Sequence, residues 1–197
     1  MPDARTHDLI TVVSGVAMLP PLYTYLLNLD AESAAGRTAL LVGAHLLSGM
    51  LFSPDLDLDS AIDDRWGWFA WIWKPYTWLI PHRHFWSHGL VLPPILRLGY
   101  MLAVFLLLLC CLARFFAAIG LVIPDYHVRL ARALTTAVQE HPTETLLILL
   151  GFVTGGAAHT IADWLVTGGK RYLAMIGIRT RRSYTNHDRS IHRLRRF

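Results

Sequence analysis

Carboxylates and imidazoles crowd into a few places in this chain. Asp55, Asp57 and Asp59 alternate at the start of the stretch from Ser53 to His88, and His82, His84 and His88 close it. A further pair, His159 and Asp163, stands four residues apart. On a helix that spacing projects both side chains from one face, about a turn apart. An imidazole and a carboxylate so placed bind one ion together, or the carboxylate orients the imidazole from behind. The bland alternative is a structural hydrogen bond. Asp55-Leu-Asp57-Leu-Asp59 begins like a calcium loop, but its sixth position is Ser60 rather than Gly and its twelfth is Trp66 rather than Glu. Asp-x-Asp also occurs where enzymes hold a divalent metal with a nucleotide sugar, and a carboxylate here could simply cap a helix. In His82-Arg-His-Phe-Trp-Ser-His88 the outer histidines are six apart, which suits a helical turn or a loop folding back on a metal. Arg83 is placed to clamp an anionic oxygen such as phosphate, and His84 reads as a surface residue. His and Asp donors without cysteine suit zinc, manganese or iron, one ion or more. Two ions would activate water and stabilise charge on a phosphoryl centre. HExxH, Walker A, GxSxG and Pro-Ser-Gly-His segments are all absent.

The elements that must position these residues are apolar. Of 197 residues 54% are hydrophobic and only 16% charged, against about a quarter charged in soluble domains. Four hydrophobic segments stand out: about 9–29, 38–52, 98–123 and 145–166. The first and the last two are near the ~20 residues that cross a bilayer. Pro20 and Pro21 predict a kink in the first, or a helix end with a short re-entry. The second is short, with His45 in its middle as a satisfied buried imidazole, and Gly43, Ala44, Ser48 and Gly49 for close helix packing. Between spans two and three, Trp66, Trp68, Trp71, Trp73, Tyr76 and Trp78 predict helices lying at the headgroup level. A soluble aromatic mini-core is the alternative. Arg97 precedes the third span, and Arg114 snorkels or pairs near its end. Cys110 and Cys111 are adjacent in an apolar run and imply no disulfide. The start lacks a signal-peptide layout and is expected to be retained. The expected fold is all-α, an integral-membrane helical bundle of about four transmembrane helices plus interfacial aromatic helices. It comprises a membrane-embedded metal-binding domain over 1–178 and a basic tail over 179–197.

Charge sets the orientation. From Lys170 onward nine Lys or Arg residues face the single acid Asp188, more than the net +4 of the whole chain. A positive flank marks the cytoplasmic side, so the C-terminus is expected inside. Four spans then put the N-terminus inside too. On that topology His7, Asp55, Asp57, His82, His88, His159 and Asp163 all fall at one membrane face, with the last two in the final turns of the fourth span. The tail arginines would meet anionic lipid headgroups. Nucleic acid is not an expected partner.

The motifs in order also resemble a bacterial family of uncharacterised integral-membrane metal-binding proteins. The resemblance rests on Arg5-Thr6-His7-Asp8, Ser53-Pro54-Asp55-Leu56-Asp57, Arg65-Trp66-Gly67-Trp68 and Trp73-Lys74-Pro75-Tyr76. It continues through His82-Arg83, Phe85, Ser87-His88-Gly89, and His159 with Asp163-Trp164, covering roughly residues 4 to 170. That family looks similar to the LexA-regulated, YdjM-like membrane-bound metal-dependent hydrolases, with their Asp-x-Asp, His-Arg…His and late His-x-x-x-Asp. More distantly, the order of His and Asp is similar to zinc-dependent phospholipase C and the P1-type nucleases. Their amino-terminal Trp ligand has no counterpart here, where His7 is internal. His187 and His192 lie outside the resemblance. It implies a multi-pass protein of the bacterial inner membrane, and a hydrolase acting on a phosphoester, either a phosphorylated lipid or a small molecule. His7, Asp55, Asp57, His82, His88, His159 and Asp163 would hold one or more divalent ions, zinc first and manganese or iron as alternatives. Asp57 would be a ligand or general base, and Arg83 would bind the anion. A non-catalytic metal-binding or metal-handling membrane protein would use the same ligands.

Overall fold

The computed structural model of the chain describes residues 4–52, 63–80 and 89–175, with side chains over 5–52, 65–80 and 89–166. Every described element is helical. Helix α1 spans Ala4–Leu29 and α2 Ala34–Leu51; α3, Asp63–Trp66, runs into a 3-10 helix, Gly67–Trp73, and then α4, Lys74–Leu79. Helices α5, Leu92–Ala118, α6, Tyr126–Glu140, and α7, Pro142–Met175, complete the chain. Pro2–Asp163 form one compact unit, and the chain from Trp164 onward belongs to a second. The packing described below is that of the first.

Four helices are long and apolar enough to cross a membrane: α1, α2, α5 and the Pro142–Val166 part of α7. Their limits differ from the hydropathy reading in ways that local chemistry explains. α1 is one helix through Pro20 and Pro21, with no re-entry. α5 begins six residues earlier than expected because Pro93 and Pro94 occupy its first turn, where a missing N–H costs nothing. Arg97 therefore lies inside α5 rather than before it. It is 2% exposed, and its guanidinium donates to the Phe52 carbonyl at 2.7 Å, satisfying the end of α2. α7 continues to Met175, while its apolar span ends at Val166, so His159 and Asp163 stand in the last two turns of that span.

Small residues set the helix separations. A Cβ at Gly151 or Gly155 would collide with the carbonyl oxygens of Leu41 and His45, so α7 lies directly on the α2 backbone. Thr11 of α1 fills the space over Gly49 of α2 in the same way, and Pro94 of α5 packs on Gly156. Such approaches, with their many weak contacts, hold helices together where no hydrophobic driving force acts between them. Gly43 has open space beside it and takes no part.

Two ends can be distinguished. At one, Arg37 pairs with Glu144 at 2.9 Å and with Asp30 at 3.3 Å. The Ser33 hydroxyl donates to the Asp30 carboxylate and holds it below the ordinary carboxylate range. At the other, Arg65 bridges the Asp8 carboxylate and the Met50 carbonyl, and the Trp66 indole N–H donates to Leu51 O at 2.9 Å. His7 and Asp30 are separated by about 35 Å along α1 at 1.5 Å per residue, comparable to the ~30 Å hydrocarbon layer of a bilayer.

The aromatic stretch divides its labour. Trp73 and Tyr76 are buried with Phe52 and Phe152, flanked by Trp66 and Tyr100. Their rings meet edge-on or tilted at 5.2–5.8 Å, the geometry that aromatic quadrupoles favour. Trp68, Trp71 and Trp78 point outward, 94%, 64% and 83% exposed. A mini-core and an outward aromatic belt thus coexist, because alternate residues of a short helical stretch face opposite ways.

Candidate metal centre

His7 lies in the first turns of α1, while His159 and Asp163 share one face of α7. The three meet at the end marked by Arg65, and they are 2%, 0% and 5% exposed. One ligand atom from each lies within 4.8 Å of the others. The His7 Nε2 to Asp163 Oδ1 distance is 3.4 Å, and His159 Nε2 to Asp163 Oδ2 is 3.7 Å. Two donors bonded at about 2.0–2.1 Å to a tetrahedral ion stand about 3.4 Å apart. The spacing is therefore that of ligands around an ion rather than of a hydrogen bond, whose atoms approach to about 3 Å.

Local structure explains the convergence. His159-Thr-Ile-Ala-Asp163 uses the i, i+4 register, so a single straight helix delivers two donors. His7 arrives from the opposite side, its ring stacked on that of His159 with centroids 3.7 Å apart and planes 13° off parallel. Thr11 Oγ1 donates back to the His7 carbonyl at 3.0 Å.

The donors fit an ion on a second ground. Both Asp163 carboxylate oxygens and both His7 ring nitrogens are buried without a hydrogen-bond partner. Buried polar atoms are nearly always paired, and an unpaired buried carboxylate is expensive. A cation shared by these groups removes that cost. Binding through one His7 nitrogen leaves the other without the acceptor that usually backs a ligating histidine, and nothing described fills that role.

Asp55, Asp57, Arg83, His82 and His88 lie outside the described residues, as do Asp59, His84, His187 and His192. His45 is no part of the cluster: both of its nitrogens are engaged in hydrogen bonds within the helices, as a satisfied core imidazole requires. Two residues named in the sequence reading have roles that it did not foresee. Arg65 fastens Asp8, the neighbour of His7, to the end of α2, and Arg97 caps that same end from α5. The signal available for Arg97 was an arginine one turn after a Pro-Pro pair that opens the most apolar helix.

Among comparisons with known proteins, the model of a family described as "Uncharacterized metal-binding protein (DUF2227)" matches residues 2–173. No curated protein and no solved structure matches.

Proposed function

This chain belongs to the family of uncharacterized metal-binding proteins (DUF2227), and from that premise we propose that it is a membrane-bound, metal-dependent hydrolase of phosphoesters. The observation that carries the reading is the convergence of His7, His159 and Asp163 as buried donors, with four polar atoms of His7 and Asp163 left unpaired. Two histidines and a carboxylate form a three-ligand set of the kind that catalytic zinc uses, the fourth position being left to water or substrate. Manganese and iron accept the same donors. A bound ion would supply Lewis acidity and an activated water.

The remaining assignments extend this reading. Asp55 follows Met50 by five residues, and Met50 is tied through Arg65 to Asp8, so the chain can bring Asp55 and Asp57 to the same end. His82 and His88 lie between Ile80, packed on the aromatic core beside Phe52, and Gly89. On this proposal Asp55, His82 and His88 complete the donor set, Asp57 is a ligand or the general base, and Arg83 grips the anionic oxygen. Phosphoester chemistry is inferred from the motif order alone, through its resemblance to YdjM-like hydrolases and, more distantly, to zinc-dependent phospholipase C and the P1-type nucleases. Four apolar helices, a face of exposed Val, Leu and Phe on α1 and α5, and outward Trp68, Trp71 and Trp78 support residence in a bilayer. The positive-inside rule assigns both termini and the metal end to the cytoplasmic face, with the arginine tail on anionic headgroups and a phosphorylated lipid as one substrate class.

A second reading, a non-catalytic metal-binding or metal-handling protein, draws on the near-complete burial of all three donors, since closed centres are structural. Metal analysis of the purified protein, joined to phosphoesterase assays of the wild type, Asp57→Ala and His88→Ala, separates the readings. Bound metal with turnover that both variants lose supports the hydrolase. Bound metal without turnover of any phosphoester tested leaves the second reading. A protein purified without metal that takes up none removes both.

A further inference from the structure

We infer that His45 is a positioning residue for the metal centre: one imidazole of α2 ties the helix that carries His7 to the helix that carries His159 and Asp163. The inference rests on the metal reading above and adds to it a group that binds no metal. His45 is 1% exposed. Its Nε2 lies 3.1 Å from the Thr11 carbonyl and 3.0 Å from the Ser14 hydroxyl, both on α1, and its Nδ1 lies 3.1 Å from Thr154 Oγ1 on α7. A carbonyl only accepts, so Nε2 carries the proton and donates to Thr11. A neutral ring then accepts at Nδ1 from the Thr154 hydroxyl, which also has the Gly151 carbonyl within reach at 3.0 Å.

The brace sits directly beneath the cluster. Thr11 follows His7 by one turn, and Thr154 precedes His159 by five residues, so the tie points lie about 6 and 7.5 Å along the helix axes from the donors. Such a lever is short, and metal sites need their ligands within a few tenths of an ångström of ideal distances. Thr11 is a double fixture: its carbonyl takes the His45 proton, and its side chain fills the space over Gly49 while bonding back to His7. Sliding α1 by a fraction of a turn would break the His45 bond and pull His7 from Asp163 together. With both nitrogens occupied, His45 has no lone pair to offer an ion, which distinguishes it from a fourth ligand.

The test uses the full-length protein in detergent, titrated with cobalt(II), with the visible d–d bands reporting coordination geometry. His45→Ala is expected to weaken cobalt binding at least about 10-fold, the lower end of the range for groups that orient ligands, and to change the band pattern. His45→Gln, which can still donate to Thr11, and Thr154→Val, which removes only the tie to α7, should shift both readouts in the same direction by less. These two carry the test if His45→Ala does not fold. Ser48→Ala is the control: it deletes another buried α2–α7 bond, Ser48 Oγ to Phe152 O at 2.6 Å, without touching α1. It should lower thermal stability and leave the cobalt spectrum alone. Wild-type binding with unchanged spectra and affinities in the His45 and Thr154 variants overturns the positioning role while leaving the metal centre standing. A wild type that takes up no cobalt removes the centre and the brace together.

Discussion

Asp163 concentrates the chemistry of the proposed centre in one side chain. Its two oxygens face one imidazole from α1 and one from its own helix, and neither oxygen has a hydrogen-bond donor. The proposal therefore predicts opposite effects with and without metal. Asp163→Asn should lower zinc or cobalt affinity by at least about 100-fold, beyond what outer groups usually contribute, as read by competition with a chromophoric chelator. In metal-free protein the same change removes a buried carboxyl group that accepts no hydrogen bond, so thermal stability should hold or rise. Added metal at 100 times the wild-type Kd should stabilise the wild type by about 2.7 kcal/mol and the variant by no more than about 0.4 kcal/mol. A variant that melts lower in both conditions would argue for a purely structural carboxylate. The His159 and Asp163 pair was legible in the sequence because the helical period fixes it locally. His7 could be assigned only through an assumed topology or a family resemblance, since no local pattern links positions so far apart in the chain. Arg65 and Arg97 were opaque for a related reason: each satisfies a carbonyl at the end of α2, and backbone acceptors leave no mark in sequence.

At the scale of elements, separation between α2 and α7 is set by backbone against backbone. Gly155→Val should push the helices apart at the His45 carbonyl and cost about 1–3 kcal/mol, seen as a lower melting temperature in detergent; Gly43→Ala, with open space beside it, should be silent. At the opposite end the partly exposed Arg37–Glu144 pair should matter little. Glu144→Gln is expected to leave the melting temperature nearly unchanged, and a clear drop would mean that pair fastens α7 by itself. Asp30, held low by Ser33, stabilises that end above the ordinary carboxylate pKa, and the contribution fades as pH falls through its lowered value. Asp30→Asn should therefore flatten the acid side of the stability profile. Helix existence followed from hydropathy, whereas helix limits did not. The sequence pattern placed the third span at 98–123; the proline pair moves its start to Leu92, because prolines that end a helix in mid-run open one at its first turn. The tryptophans were similarly half legible: their density predicted short aromatic helices, but which rings turn inward depends on where Phe52 and Phe152 come to lie.

Within the Pro2–Asp163 unit, ion pairs mark the two ends of α1, and exposed apolar side chains of α1 lie between them. If four spans cross with both termini inside, a cysteine placed at Asp30 should react with an impermeant thiol reagent from the periplasmic side, in a Cys110→Ser, Cys111→Ser background. A cysteine beside Arg65 should react only after the membrane is opened. The reverse labelling pattern would overturn the proposed orientation, and labelling of both sites from one side would remove a crossing. The family match over residues 2–173 includes the ends of the chain that supply the donors, in keeping with a centre that needs both.

That need has a consequence for how the protein is made. His7 and Asp163 stand about 155 residues apart in the chain. At ~5–20 residues per second of synthesis, roughly 8–30 s pass between the emergence of the first donor and the last. Throughout that interval His7 lacks both of the buried donors that meet it in the folded chain. If these three donors hold the ion as proposed, loading is a closing event of biogenesis, postponed until α7 comes to rest on α2, and the glycines that permit that landing also set its moment.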